Sequence, residues 1–136
     1  MSNKFSLIIF TDLDGSLLHR DNFKFDEIKD YVKNLINHGI IIIPNTSKTE
    51  KETENFLKEL GSELPFISEN GSVIKGLNLL KRDLPQKLIL GRDKGELLKI
   101  FNKVVPNNLI IKCKWIYLMN KNVQSNILGL SKNDLS

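Results

Sequence analysis

Cysteine is almost absent: Cys113 is the one thiol in 136 residues. A single cysteine excludes an internal disulfide framework and a multi-cysteine zinc site. Long apolar runs are missing too. None approaches the roughly 20 residues of a membrane-spanning helix, so no membrane partner is expected. Residues 1–4 are too short and too polar to open a signal peptide, and Asp12 and Asp14 interrupt the apolar stretch behind them. The expected setting is cytoplasmic. Aromatic residues make up 7% of the chain and do not interleave with basic ones as a base-stacking surface would. Nor is charge of one sign concentrated. Twenty Lys and Arg face 16 Asp and Glu, a net +4, and the lysines usually lie beside acids, as in residues 48–59. That pattern argues against a nucleic-acid partner and is compatible with attraction of small anions.

What is present suffices for a folded domain, or for one domain and part of another: 40% of residues are hydrophobic and 26% charged. Residues 5–10 form a short run rich in Ile and Phe, which predicts a buried strand. Residues 25–38 place Ile28, Tyr31, Val32, Leu35 and Ile36 at helical spacing, with Asp26 and Glu27 early and Gly39 at the stop. Residues 40–43 are four isoleucines closed by Pro44. They do not alternate, which predicts a strand buried on both faces of a parallel sheet. A helix is expected over 48–60, ending at Gly61, and a strand over 65–68. Glu69-Asn70-Gly71 is a turn signal, from which residues 72–75 can return as a hairpin arm. Strand, helix, strand, helix, strand makes two βαβ units in one parallel sheet. Beyond a boundary near residues 81–85, a strand is expected at 87–90, a helix at 94–105 and a strand at 109–118. Residues 120–136 are polar apart from a patch at 127–130.

Chemistry concentrates at the expected strand ends. Asp12-Leu13-Asp14-Gly15 follows the first strand. In open α/β sheets the ligand crevice lies beyond the carboxyl ends of the strands, and two acids two residues apart can face it. The same residues also read as a solvated turn. An EF-hand loop counted from Asp12 fails: it needs Gly where Leu17 stands and Glu where Phe23 stands. After the second strand come Asn45-Thr46-Ser47-Lys48-Thr49, hydroxyls and a lysine at a helix start, where free N–H groups favour phosphate. Ser47 with Glu50, and Thr49 with Glu52, also read as capping boxes, and one residue can both cap and bind. Ser68-Glu69-Asn70-Gly71 follows the third strand. Alone it is a turn. Together the three motifs bring a carboxylate pair, hydroxyls and an amide to one sheet edge, an arrangement suited to a magnesium-dependent phosphoryl site.

The run from Phe10 to Leu18, Phe-Thr-Asp-Leu-Asp-Gly-Ser-Leu-Leu, resembles the first motif of the haloacid dehalogenase-like phosphatases. Thr46 falls at their second motif. The Ser68–Gly71 turn is similar to the one that precedes the cap in the subgroup with an α/β cap inserted after the third strand. Thr46-Ser47-Lys48-Thr49 and Glu69-Asn70-Gly71 resemble the mannosyl-3-phosphoglycerate phosphatase branch. The resemblance is good over residues 5–75 and faint to residue 130. It implies an α/β fold: residues 1–82 as the N-terminal part of a Rossmann-like core, a parallel sheet with flanking helices, and 83–136 as a partial α/β cap. It implies Asp12 as nucleophile, Asp14 as general acid and base, and Mg²⁺ bound through the Asp12 carboxylate and the Asp14 carbonyl. Thr46, Ser47, Lys48 and Asn70 become phosphate- or substrate-side contacts. The implied substrate is a small phosphorylated sugar-acid, foremost mannosyl-3-phosphoglycerate. Ser16 stands where Thr is usual and keeps the hydroxyl.

One departure matters. The family completes its site with a lysine and an acidic motif on core strands after the cap, and Lys132, Asn133 and Asp134 match neither. The chain is therefore expected to be a partial phosphatase or a degenerate one. Two alternatives stay open: a non-catalytic chain that keeps a phosphate- or Mg²⁺-binding half-site, and a sibling phosphatase acting on another sugar phosphate. Self-association through the uncovered half-sheet is expected. Cys113 reads as packing, and His19 and His38 have no metal-ligand partner at useful spacing. Trp115 and Tyr117 are expected to share one face of a cap strand.

Overall fold

The computed structural model describes residues 7–132 and Leu135. Phe5 and Ser6 of the first expected strand, and Asn133 and Asp134 of the tail, lie outside the described residues. By contact density the chain divides into two compact units, Met1–Gly91 and Arg92–Ser136.

The first unit is α/β. Strand β1 (Ile8–Thr11) pairs in parallel with β2 (Ile41–Pro44), Ile8 opposite Ile41 and Thr11 opposite Pro44. Helix α1 (Asp26–Asn37) connects them, with Asp26 and Glu27 in its first turn. Helix α2 (Glu50–Leu60) leads to β3 (Phe66–Ser68). A parallel bridge between Asn45 and Ile67 sets β3 beside the end of β2. Strand β3 then turns through a 3₁₀ turn, Glu69–Gly71, into β4 (Val73–Lys75). Both β3 and β5 (Lys87–Ile89) pair antiparallel with β4. A short helix, α3 (Leu77–Leu80), lies between β4 and β5.

Periodicity sets the core. Val32 of α1 and Phe56, Leu57 and Leu60 of α2 sit at helical spacing on one stripe of each helix. They pack with Ile42, Phe66, Leu64, Leu13, Leu18 and Phe25, all buried. The Phe25 and Phe56 rings meet at 5.0 Å between centroids. Each such apolar side chain contributes about 1.5–3 kcal/mol on burial. Helix α2 is closed at both ends. Thr49 and Glu52 form a capping box at its start, and Gly61 ends it in the left-handed conformation, φ 73°.

One expectation is corrected for the first unit. Strand β1 is not buried: Ile8 and Phe10 are 47% and 61% exposed. Among the described residues it pairs with β2 alone, and the helices contribute their apolar stripes to the cluster around Ile42, the neighbour of Ile9 on the other sheet face. Strand β3 continues the parallel arrangement through one bridge to the end of β2, while its ladder pairs with β4. The two compact units meet at Gly91, since β5 pairs with β4 and stays with the first unit.

The second unit holds α4 (Lys94–Val104), α5 (Asn107–Ile110), a 3₁₀ turn (Ile116–Leu118) and α6 (Lys121–Leu128). The strand expected over 109–118 is absent. Pro106 and Asn107 start a helical turn there, and Cys113 closes it with an N–H bond to Ile110 O. No strand stands in this unit among the described residues for a further strand to pair with. Helix α6 was hidden by its polarity; Asn120 caps it, accepting the Val123 N–H at 3.0 Å. Phe101, Trp115 and Tyr117 pack together, with ring centroids 5.1 and 6.2 Å apart. No helix of the described residues is long and apolar enough to cross a membrane.

Candidate active site

Backbone hydrogen bonds tie three strand ends to one edge. The Asn45 N–H donates to Thr11 O (2.8 Å) and the Thr46 N–H to Ile67 O (3.0 Å). The Glu69 N–H donates to Lys48 O (2.9 Å) and the Asn70 N–H to Thr46 O (3.4 Å). The loops that carry Asp12, Thr46, Lys48 and Asn70 are thus linked one to the next.

Leu13 explains where the two carboxylates go. It is fully buried in the core, and Leu18, 6% exposed, follows it down. The Leu18 N–H bonds to Leu13 O at 2.7 Å and the Gly15 N–H to Leu18 O at 2.9 Å, closing a tight loop. Gly15 takes φ 73° with open space where a Cβ would be, so it serves backbone conformation rather than close packing. The residues flanking Leu13 stay out of the core. Asp12 is exposed, and its Oδ1 accepts the Leu13 N–H at 2.7 Å. Asp14 is half-buried, and its Oδ1 is shut off from solvent without a hydrogen-bond donor. Lys48 compensates its charge. Its Nζ stands 3.0 Å from that oxygen, an ion pair whose angles are not those of a hydrogen bond.

Thr46 is buried, and its hydroxyl oxygen accepts the Lys48 N–H at 3.2 Å, which orients the lysine's backbone. Ser47 is exposed and does not cap α2. Of the two capping boxes legible in the sequence, the one that forms is Thr49 with Glu52. The Glu50 N–H goes to Glu69 Oε1 at 3.3 Å. The first turn of α2 is therefore taken up by Thr49, Glu52 and Glu69. Asn70 is exposed, with φ 55°, and Glu69 has φ 53°. Asn tolerates that region; Glu does so at a cost, which two hydrogen bonds of its own offset.

The structure thus brings Asp14, Thr46 and Lys48 into direct contact, with Asp12 on the adjoining strand end and Asn70 bonded to Thr46. Ser47 lies outside these contacts. Three neighbours were not singled out for the site from the sequence. Ser68 is fully buried with its hydroxyl unpartnered. Glu69 holds the start of α2. Phe23 lays its ring on Lys48, 5.1 Å from Nζ to the centroid. Nothing in periodicity or motif spacing marks Phe23; only the long loop before α1 hints that something must cover the strand ends.

Behind the site, Lys75 pairs with Glu50 (3.1 Å) and with Glu54, and Lys87 with Glu50 (2.6 Å). The bond from Lys87, reinforced by Lys75, holds the Glu50 carboxyl below its ordinary value against the opposing effect of burial. Glu54 and Glu50 raise the Lys75 ammonium. Among the described residues no group of three or more His, Cys, Asp or Glu is placed to hold a metal ion.

The family model described as haloacid dehalogenase-like hydrolase matches residues 9–133. The glucosyl-3-phosphoglycerate/mannosyl-3-phosphoglycerate phosphatase of Persephonella marina is 37% identical over 106 residues, which cover 72% of this chain and 39% of that protein. The mannosyl-3-phosphoglycerate phosphatase of Pyrococcus horikoshii is 45% identical over 67 residues, 49% of this chain and 27% of that protein. The structure is similar in fold to a haloacid dehalogenase-like hydrolase from B. subtilis, with a TM-score of 0.52 and 23% identity, covering 71% of this chain and 32% of that one. The chain therefore spans well under half the length of the curated relatives it matches.

Proposed function

The chain belongs to the haloacid dehalogenase-like hydrolases, and we propose that it carries the nucleophile half of a phosphomonoesterase acting on a phosphorylated sugar-acid, foremost mannosyl-3-phosphoglycerate. The observation that carries this reading is the linkage of Asp12, Asp14, Thr46, Lys48 and Asn70 at one sheet edge, with Lys48 3.0 Å from Asp14. The substrate class rests on the names of two relatives, both phosphatases of glycosylated 3-phosphoglycerate.

Asp12, exposed at the end of β1, attacks phosphorus and displaces the sugar-acid oxygen, forming an aspartyl-phosphate. Asp14 gives that oxygen a proton as it leaves. It then takes a proton from the water that attacks phosphorus and frees Asp12. Lys48 supplies positive charge toward the phosphoryl oxygens, the Thr46 hydroxyl and Asn70 amide supply donors, and residues 1–82 and 83–136 divide as core and partial cap. The donors suit Mg²⁺: the exposed Asp12 carboxylate and a backbone carbonyl two residues on are hard oxygens. Magnesium is commonly held by one or two carboxylates together with substrate phosphate. Asp12 and the Asp14 carbonyl would hold it, and when bound it supplies charge neutralisation at the phosphoryl group.

The test is phosphate release from mannosyl-3-phosphoglycerate by this chain, with Mg²⁺ or EDTA, beside Asp12→Asn. Magnesium-dependent release that falls by about 10³-fold or more in the variant is the expected result. Equal release by both proteins overturns it. A panel of other sugar phosphates identifies a sibling substrate. A second reading, phosphate or Mg²⁺ binding without turnover, is favoured by the ion pair that ties Asp14 to Lys48. Calorimetric binding with no phosphate released would establish it in place of the first.

A further inference from the structure

We infer that Phe23 is a positioning residue for Lys48, holding its ammonium at the Asp14 end of the site through the face of its ring. The inference rests on the proposed function for its consequence, though the contact is observed independently of it.

Three observations converge on Phe23. Its backbone is in the left-handed region, φ 55°, which a bulky side chain rarely adopts and which typically costs about 1–3 kcal/mol. The loop insists on it: the His19 N–H bonds to Lys24 O at 2.7 Å and the Phe23 N–H to His19 O at 2.9 Å. Asn22, the next residue back, would suit a positive φ better, yet Phe occupies the position. Hydrophobic burial does not account for this choice, because Phe23 is 55% exposed. What the ring does contact is Lys48, with Nζ 5.1 Å from its centroid.

Lys48 makes the contact meaningful. Its side chain is 17% exposed, and its ammonium stands 3.0 Å from Asp14 Oδ1 and 5.1 Å from the ring centroid. A lysine stem has four rotatable bonds, and one ion pair in a half-open site fixes it weakly. An aromatic face beside it narrows its range by cation–π attraction and by excluding water. The strained loop therefore restrains the residue proposed to meet the phosphoryl group.

The test uses this chain with Phe23→Leu, Phe23→Gly, Phe23→Trp and Lys48→Ala, and reads two signals. The first is the NMR shift of the Lys48 Cε protons, which the ring face moves upfield. The shift is expected to vanish in Phe23→Leu and Phe23→Gly and to persist in Phe23→Trp. Glycine relieves the backbone strain, so a purely conformational role predicts no harm from it. The second signal is affinity for inorganic phosphate with Mg²⁺. Phe23→Leu and Phe23→Gly are expected to weaken it about two- to five-fold, Phe23→Trp to restore it, and Phe23→Leu to have no effect in a Lys48→Ala background. The proposal is overturned if the Lys48 protons keep their shift in Phe23→Leu, or if Phe23→Leu weakens phosphate equally without Lys48. If Lys48→Ala binds phosphate as the native chain does, the proposed function falls, while the proton shift still decides the contact.

Discussion

The two units of the chain differ in how far their helices are committed to a core. In the first, α1 and α2 each carry a stripe of apolar side chains into one cluster, and Leu13 and Leu60 are fully buried. In the second, α4, α5 and α6 bury no residue, and Val104, Ile111 and Leu118 are more than 70% exposed. Local signals are equally good in both. Asp93 and Asn120 cap α4 and α6 much as Thr49 caps α2. The contrast teaches that caps and helical periodicity specify helices, whereas stability comes from what the apolar stripe meets.

The strongest way to break that contrast is to remove one apolar side chain from each unit. Leu60→Ala empties a fully enclosed position and is expected to cost about 2–5 kcal/mol. Ile127→Ala trims a residue that is 53% exposed and is expected to stay within about 0.5 kcal/mol. Urea midpoints of the two variants check this. Equal losses would mean that the units are equally packed.

A smaller effect sharpens the comparison at the helix starts. Thr49→Ala removes a capping box and is expected to cost about 1 kcal/mol of global stability. Asn120→Ala removes a similar cap, but from a helix outside the core. Its loss is expected to appear in hydrogen exchange of α6 with the main urea transition unmoved. A shift of the main transition by Asn120→Ala would show α6 to be part of the cooperative core.

The same contrast explains what could be read from the sequence. The βαβαβ order and both flanking helices were legible because 3.6-residue periodicity, acids at helix starts and terminal glycines agree there. The strand-end residues were legible because in such a sheet they must share an edge. The second unit was read wrongly where patterns conflict. Residues 109–118 carry strand-like Ile, Trp and Tyr, but with no neighbouring strand in that unit among the described residues to supply a ladder, helical turns satisfy the backbone locally. Within the site, the choice between two capping boxes and the role of Glu69 depend on a turn far away in sequence. Phe23 escaped because a left-handed loop residue leaves no periodic trace.

The smallest expected effect concerns the charges behind the site. Glu50 is held below its ordinary value of 4.5, chiefly by Lys87 and then by Lys75. A carboxyl with a lowered folded-state pKa stabilises the fold at pH values above 4.5, and the contribution is lost as pH falls through the folded value. Lys75 has the opposite sign: its raised pKa stabilises below 10.5, and that contribution disappears as pH rises past the folded value. Both side chains are partly exposed, so each contribution is at most about 1 kcal/mol. Glu50→Gln is therefore expected to lower the urea midpoint at pH 7, by an amount that shrinks as pH falls below 4.5. In the second unit the pair Arg92–Glu96 is more exposed on both sides, and Glu96→Gln is expected to cost no more than about 0.5 kcal/mol. If Glu50→Gln loses as much at pH 3 as at pH 7, its side chain works through packing, and the charges that bind α2 to β4 and β5 do not help to distinguish the two units.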